Sequence, residues 1–168
     1  MKIENIVINS GFLSGGVVQN GSQAQSAPKE RESRGTGYVY DLGISYASEQ
    51  EAYVRRVVKI LEEEQVKVFF APNAEEKYKG RDMYVEFYKI FRYQCRLVAC
   101  FLSEEYRKKE YTMHEFQAAL LRKEDCIIPI YFDRVGMKGL DKDINYLKAG
   151  PMEETLLAGQ ILARLTQG

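Results

Sequence analysis

The chain has 168 residues, enough for one ordinary domain with its own core and a modest appendage. Lys+Arg and Asp+Glu both number 24, so net charge is zero and no basic field exists to draw in nucleic acid or anionic lipid. No apolar run approaches the roughly 20 residues of a membrane helix. The N-terminus also lacks the cationic start and apolar core of a secretory signal, and three cysteines without a C-x-x-C pair fit a reducing compartment. The expectation is a cytoplasmic protein with neither a nucleic-acid nor a membrane partner.

Residues 1–36 differ in kind from the rest, being rich in Gly, Ser, Asn and Gln and closing on a charged run, Ala27 to Arg34. Two short β-like pieces, Ile6–Gly11 and Val17–Ser22, each end in turn chemistry. The segment reads either as a flexible tail or as a small hairpin whose open edge pairs with another chain. The ordered domain is expected over 37–168.

Tyr38–Tyr46 reads as the first strand. Ser48 and Glu51 have capping-box spacing, and the helix after them carries Val54, Val57, Val58 and Leu61 on one face. Val66–Phe70 reads as a second strand ended by Pro72, followed by a polar loop, Asn73–Gly80. A second helix then places Tyr84, Phe87, Tyr88 and Phe91 at i, i+3, i+4, i+7. Cys95–Leu102, nearly all apolar after Arg96, is a strand buried on both faces. A helix to about Lys123 and a strand over Cys126–Phe132 come next, and the internal Pro129 argues for a place near the sheet edge. A weak fifth strand is expected around Ile144–Leu147, and Pro151 suits the first position of a closing helix carrying Leu156, Leu157, Ile161 and Leu165.

Strands alternating with helices predict an α/β fold, a flavodoxin-like doubly wound five-stranded parallel sheet of order 2-1-3-4-5 with helices on both faces. In that order ligands bind beyond the carboxyl ends of strands one and three, where the winding reverses. Here those ends are Ser45-Tyr46-Ala47 and Leu102-Ser103, and the helix that begins near Glu110 starts just beyond the second.

Several chemistries of such folds leave no mark. There is no G-x-x-x-x-G-K-[ST] and no G-x-G-x-x-G after the first strand. The strand ends lack the acidic residues of a phospho-accepting receiver, and one histidine with scattered cysteines makes no zinc set. His114 and Glu115 are helix neighbours pointing about 100° apart, so they form no dyad, and His114 is expected as a polar surface residue. Glu115 admits two readings. Thr112 and Glu115 have capping-box spacing, with Tyr111 and Phe116 placed for a hydrophobic staple, which needs no function. Alternatively Tyr111 and Glu115, four apart, set an aromatic and a carboxylate on one face of a crevice helix.

Tyr40-Asp41-Leu42-Gly43-Ile44-Ser45-Tyr46-Ala47 resembles the first box of Toll/interleukin-receptor (TIR) domains, an aromatic-Asp-x-Phe-Ile-Ser-Tyr pattern. The Val68-Phe69-Phe70 strand, the stretch running to Gly80-Arg81-Asp82 and Tyr111-Thr112-x-x-Glu115 follow in order, so the resemblance covers about residues 38–166. It is closest to bacterial TIR domains. Many of these cleave NAD+ at the nicotinamide–ribose bond, releasing ADP-ribose or a cyclised isomer, through the glutamate that matches Glu115. The resemblance implies NAD+ as substrate, no cofactor and no metal. It implies Ser45, Ala47, Ser48, Tyr78 in the loop and Arg81 as substrate-binding positions, with Tyr111 where the family often has tryptophan. It further implies activation by TIR–TIR self-association, as a filament or higher oligomer, with a separate sensor protein, in antiphage defence or immune signalling. The rivals within the family are a non-enzymatic TIR–TIR adaptor or scaffold and a host-manipulating effector. Two departures carry expectations: Gly43 replaces the usual phenylalanine, loosening the strand, and Ala47-Ser48 stands where tight NAD+ binders often have basic residues.

Overall fold

A computed structural model describes residues 37–122, 124–141, 145–150 and 153–167. The hairpin-or-tail reading of 1–36 lies outside the described residues. Five strands build one parallel sheet: β1 (Tyr40–Tyr46), β2 (Val68–Phe69), β3 (Cys95–Leu102), β4 (Ile127–Tyr131) and β5 (Leu147–Lys148), in the order 2-1-3-4-5. The six helices among the described residues are α1 (Glu51–Glu63), α2 (Ala71–Tyr78), α3 (Met83–Lys89), α4 (Glu104–Lys108), α5 (Glu110–Leu120) and α6 (Glu154–Thr166).

The period of two along the central strands sorts the core into two layers. Leu42 and Ile44 of β1, with Ala99 and Phe101 of β3, pack against Val54, Val57, Val58 and Leu61 of α1 and Leu157, Ala158 and Ile161 of α6. Val98, Cys100 and Leu102 of β3 enter the opposite layer, with Phe87 of α3, Tyr106 of α4 and Phe116 of α5. The alternation that sends Leu42 and Ile44 to α1 sends Gly43 and Ser45 toward α5. Pro129 pairs in register with Cys100, one strand in from the edge strand β5, as its missing N–H led one to expect.

Gly43 does not loosen β1. A Cβ there would stand 2.7 Å from Cys95 Sγ and 3.0 Å from the Phe91 ring. The volume a side chain would occupy at 43 is filled from the neighbouring strand and the turn before it, so the strand is packed without its own side chain.

Other expectations are corrected. Ser48 is no helix cap: Ser48–Gln50 forms a 3-10 turn, and α1 starts at Glu51 without a side-chain cap. Residues 73–78 are not a loop, since α2 runs from Ala71 to Tyr78 just after the short β2, with Pro72 in its first turn, where a missing N–H costs nothing, and only 79–80 remain a turn. The aromatic helix is α3, capped by Asp82 and continued by a π turn, Ile90–Gln94. The fifth strand is Leu147–Lys148, and α6 starts at Glu154 rather than at Pro151, which itself lies outside the described residues. Its buried stripe runs through Leu157, Ala158 and Ile161, leaving Leu156 exposed.

Candidate active site

The site begins with the break between α4 and α5. Ser103, buried at the end of β3, caps α4 by accepting from the Tyr106 amide at 3.1 Å. One turn later the chain opens at Lys109 (φ −91°, ψ 130°) and restarts as α5. Thr112 is inside that helix. Its hydroxyl donates to the carbonyls of Tyr106 and, at 3.0 Å, Lys109, tying the new helix to the old one. The capping-box reading of Thr112 and Glu115, and the staple of Tyr111 with Phe116, are therefore overturned: α5 starts at Glu110 with Lys109 as its flanking residue and no side-chain cap.

Once α5 starts there, Thr112, Glu115, Phe116 and Ala119 fall at i, i+3, i+4, i+7, and all four are buried. Glu115 stands in the stripe where an apolar side chain belongs, only 9% exposed. Its Oε2 accepts from Ser45 Oγ at 2.6 Å, and Ser45 Oγ is also 2.7 Å from Tyr106 Oη. Both Ser45 and Tyr106 are fully buried. Burial pushes the Glu115 carboxyl up to about 8, against the pull of the Ser45 hydrogen bond. The carboxyl is thus largely protonated at neutral pH while sealed, and a cation brought beside it would ionise it. Buried carboxylates with displaced titration mark functional clefts more often than scaffolds.

An ion pair latches together the loops that follow β1 and α4. Lys109 Nζ is 2.6 Å from Ser48 Oγ and 2.5 Å from Glu49 Oε2, joining the turn after β1 to the α4–α5 break. Beneath the latch, Gln50 Nε2 donates to Ser103 Oγ at 3.2 Å, while Gln50 Oε1 is buried without a hydrogen-bond partner among the described residues. A buried amide oxygen left unpaired costs about 1–3 kcal/mol, and this one lies between the carboxyl ends of β1 and β3, where the fold binds ligands. Gln50 and Tyr106 were both missed from sequence. Spacing from Ser103 gives Tyr106 no distinguishing mark, and Gln50 had been absorbed into the false capping box.

The remaining sequence candidates are scattered. Ala47 is buried at the start of the turn, and Ser48 is exposed beneath Lys109. Tyr78 is not in a loop but ends α2, buried with its ring edge-on to Phe87 at 6.2 Å. Arg81 is exposed, 3.6 Å from Glu86, with its guanidinium 5.9 Å from the Tyr78 ring. Tyr111 is half-exposed and packs edge-on against Tyr84 at 5.3 Å. His114 lies at the surface, partly exposed, where it stacks on Tyr84 at 3.6 Å and leans on Tyr88 at 4.8 Å. A cavity of about 620 Å³ opens beyond β4 and β5, lined by Tyr131, Val135, Met137 and Tyr146 among others, and does not reach Glu115. Its lining presents Arg134, Lys138 and Asp141 but no buried carboxylate. Among the described residues there is no cluster of metal-ligating side chains and no helix long and apolar enough to cross a membrane.

A doubly wound parallel sheet of order 2-1-3-4-5 sets the fold class. The profile of the TIR domain matches residues 43–159, and the chain belongs to that family. It is 35% identical over 114 residues to the 3' cyclic ADP-D-ribose synthase AaTIR of Aquimarina amphilecti. That match takes in 66% of this chain and 35% of the relative, so the chain spans about a third of the length of the curated relative it matches. Among solved structures, the TIR domain of the Toll-related receptor TRR-2 of Hydra magnipapillata superposes with a TM-score of 0.60 at 19% identity, over 77% of this chain and 99% of that one. The TIR-STING receptor of C. gigas in complex with 2',3'-cGAMP gives 0.59 at 17% identity, over 83% of this chain and 42% of that one. These two likenesses bear on the fold.

Proposed function

We propose that this domain cleaves NAD+ at the nicotinamide–ribose bond, with Glu115 as its catalytic carboxylate. One observation carries the reading: a carboxylate occupies the buried stripe of α5 facing the carboxyl ends of β1 and β3, a costly placement. The similarity to a cyclic ADP-ribose synthase supports the same substrate.

The chemistry fits one carboxylate. Nicotinamide is bound as a cation and leaves neutral, taking the electron pair of the C1'–N bond, so no strong general acid is needed. The ribose becomes an oxocarbenium ion, and negative charge beside it lowers the barrier. Arrival of the cationic ring ionises Glu115, whose displaced proton passes to solvent. Water then attacks C1' to give ADP-ribose, or a hydroxyl of the same molecule attacks to give a cyclic isomer, and in either case one proton is released. The buried oxygen of Gln50 accepts from a hydroxyl of the bound nucleotide, and Ala47 and Ser48 form the lip once Lys109 swings aside. Arg81 and Tyr111, at the surface, contact the nucleotide only after a closure that this conformation does not contain.

The sealed carboxylate also supports activation by assembly: TIR–TIR contacts, in a filament or higher oligomer, open the latch. We place the protein in the cytoplasm, where three buried thiols outside any disulfide stay reduced, and in NAD+-depleting or signal-making defence, triggered through a separate sensor.

The test is to incubate the purified chain, dilute and then concentrated or crowded, with NAD+ and follow nicotinamide release. Release that disappears in Glu115→Gln supports the reading. Release that survives Glu115→Ala removes Glu115 from the chemistry, and no release in any assembly state leaves the non-enzymatic adaptor.

A further inference from the structure

We propose that Tyr106 is a positioning residue for Glu115: through Ser45 it fixes the direction of a buried hydrogen-bond chain that ends on the carboxylate. The role of that chain in turnover rests on the NAD+-cleaving reading, while its existence rests on geometry alone.

The Ser45 hydroxyl has one proton and sits between two partners, 2.6 Å from Glu115 Oε2 and 2.7 Å from Tyr106 Oη. Its single proton goes to one partner or the other, never to both. With Glu115 ionised, Ser45 must donate to the carboxylate, since a carboxylate only accepts. Tyr106 must then donate to Ser45, and the chain runs Tyr106 to Ser45 to Glu115. With Glu115 protonated, the chain can run the other way: Glu115 donates to Ser45, and Ser45 donates to Tyr106. The site therefore has two proton arrangements, and Tyr106 is the group that turns round between them.

Tyr106 suits this task because it never loses its proton. It is fully buried, and burial holds its phenol well above the ordinary tyrosine value. It is also rigidly set, at one turn of α4 from Ser103, with its amide on the Ser103 hydroxyl and its carbonyl accepting from Thr112. Both ends of the α4–α5 break are thus tied to the residue that orients Ser45.

The surroundings leave the chain as the chief influence on the carboxylate besides burial. The titratable groups close enough to feel the Glu115 charge are Tyr46 of β1, Cys95 and Cys100 of β3, and Tyr106 of α4, while Glu115 itself responds only to burial and to Ser45. All are acids, and burial raises every one, Cys95 to about 12, so all stay neutral through the working range. Cys126, beside α5, acts on Cys95 and Cys100. Arg122 acts on Cys95, and Lys109 binds Ser48 and Glu49. From α3, Tyr84 and Tyr88 face His114. No cation among the described residues acts on Glu115 itself.

The experiment is a carbon-13 NMR titration of the Glu115 carboxyl in the full chain labelled at glutamate, the resonance being identified by its loss in Glu115→Gln. In Tyr106→Phe the carboxyl loses the donor behind Ser45, and its titration midpoint rises by about one pH unit. In Ser45→Ala, adding Tyr106→Phe moves it no further. An unmoved midpoint in Tyr106→Phe overturns the proposal, and so does an equal shift in the Ser45→Ala background. Should Tyr106→Phe fold poorly, difluorotyrosine at 106, a stronger donor, must lower the midpoint, and a rise sinks the idea. Turnover gives the second readout: the acid limb of kcat/KM moves up with the midpoint, so kcat/KM at pH 7 falls about tenfold, chiefly through KM, because bound NAD+ ionises the carboxyl in either chain. A merely structural Tyr106 would lower the melting temperature and scale activity down equally at every pH. Failure of the wild-type chain to release nicotinamide defeats the enzymatic reading and leaves the carboxyl titration to decide the chain.

Discussion

Ser45 and Glu115, 70 positions apart in sequence, are joined by a 2.6 Å hydrogen bond buried between β1 and α5. Ser45 was expected to touch the substrate, yet here its hydroxyl serves the carboxylate. Removing it with Ser45→Ala strips a charge-assisted hydrogen bond, worth about 1.5–3 kcal/mol, from the ionised form only. The expected result is a Glu115 carboxyl raised by a further one to two pH units, roughly, and an NAD+-cleaving kcat/KM at pH 7 lower by about 10- to 100-fold. A pH–rate profile of the variant checks it, and an acid limb that stays in place refutes it.

How far this was legible follows from what each signal measures. β3 and the α1 stripe were read correctly because apolar spacing reports burial directly. The buried stripe of α5 was not, because two of its positions are Thr112 and Glu115, which an apolar pattern discards. A threonine that bonds carbonyls behind it inside a helix carries the same letters as a threonine that caps one, so the box was read three residues late. Similarly, α2 was taken for a loop because its exposed residues are polar, and Pro72 was read as the end of a strand rather than the first turn of a helix. The direction of Ser45 was implicit in the alternation with Leu42 and Ile44. Its link to Tyr106 is purely tertiary, and no spacing announces it.

Glu115 makes stability depend on pH in an unusual sense. Unfolded, the carboxyl titrates near its ordinary value of 4.5, and folded it titrates near 8. Below 4.5 both states hold the proton and the group contributes nothing. Between the two values the folded chain keeps a proton that the unfolded chain has lost, so stability falls as pH rises, and above about 8 the deficit is constant. Glu115→Gln removes this dependence. Its melting temperature should exceed the wild-type value by a margin that widens from pH 5 to pH 8 and then levels off, each unit costing the wild type about 1.4 kcal/mol at most. Calorimetry across that range decides, and a margin independent of pH contradicts the buried, displaced carboxyl.

Gly43 is a packing requirement rather than a weakness. Gly43→Ala places a methyl 2.7 Å from Cys95 Sγ and 3.0 Å from Phe91, and overpacking of this kind costs about 1–3 kcal/mol. Cys95→Ala clears the sulfur, so the double variant should recover part of the loss, a coupling that denaturant titrations of the four chains measure. Additive losses would mean that Gly43 is constrained by something other than its neighbours. A phenylalanine at 43 should fail outright unless both Cys95 and Phe91 are made smaller in the same chain.

The Lys109 latch should matter for motion far more than for stability. Its partners Ser48 and Glu49 are exposed, and a solvent-screened pair of this kind contributes about 0–1 kcal/mol, so Lys109→Ala should melt within a degree or two of wild type. The same contact is the strap between the turn after β1 and the α4–α5 break. Without it, amide exchange at residues 47–50 and 104–109 should accelerate about 3- to 10-fold while β1 and β3 keep their protection, because local openings are governed by the contacts of the opening segment. High salt should reproduce the effect in the wild-type chain by screening the ion pair. If the latch covers the route to Glu115, Lys109→Ala should also release nicotinamide at lower protein concentration than wild type, part of the work of assembly having been done by the substitution. Unchanged exchange at 47–50 would show that packing of Ala47 and Gln50, and not the lysine, holds the two loops together.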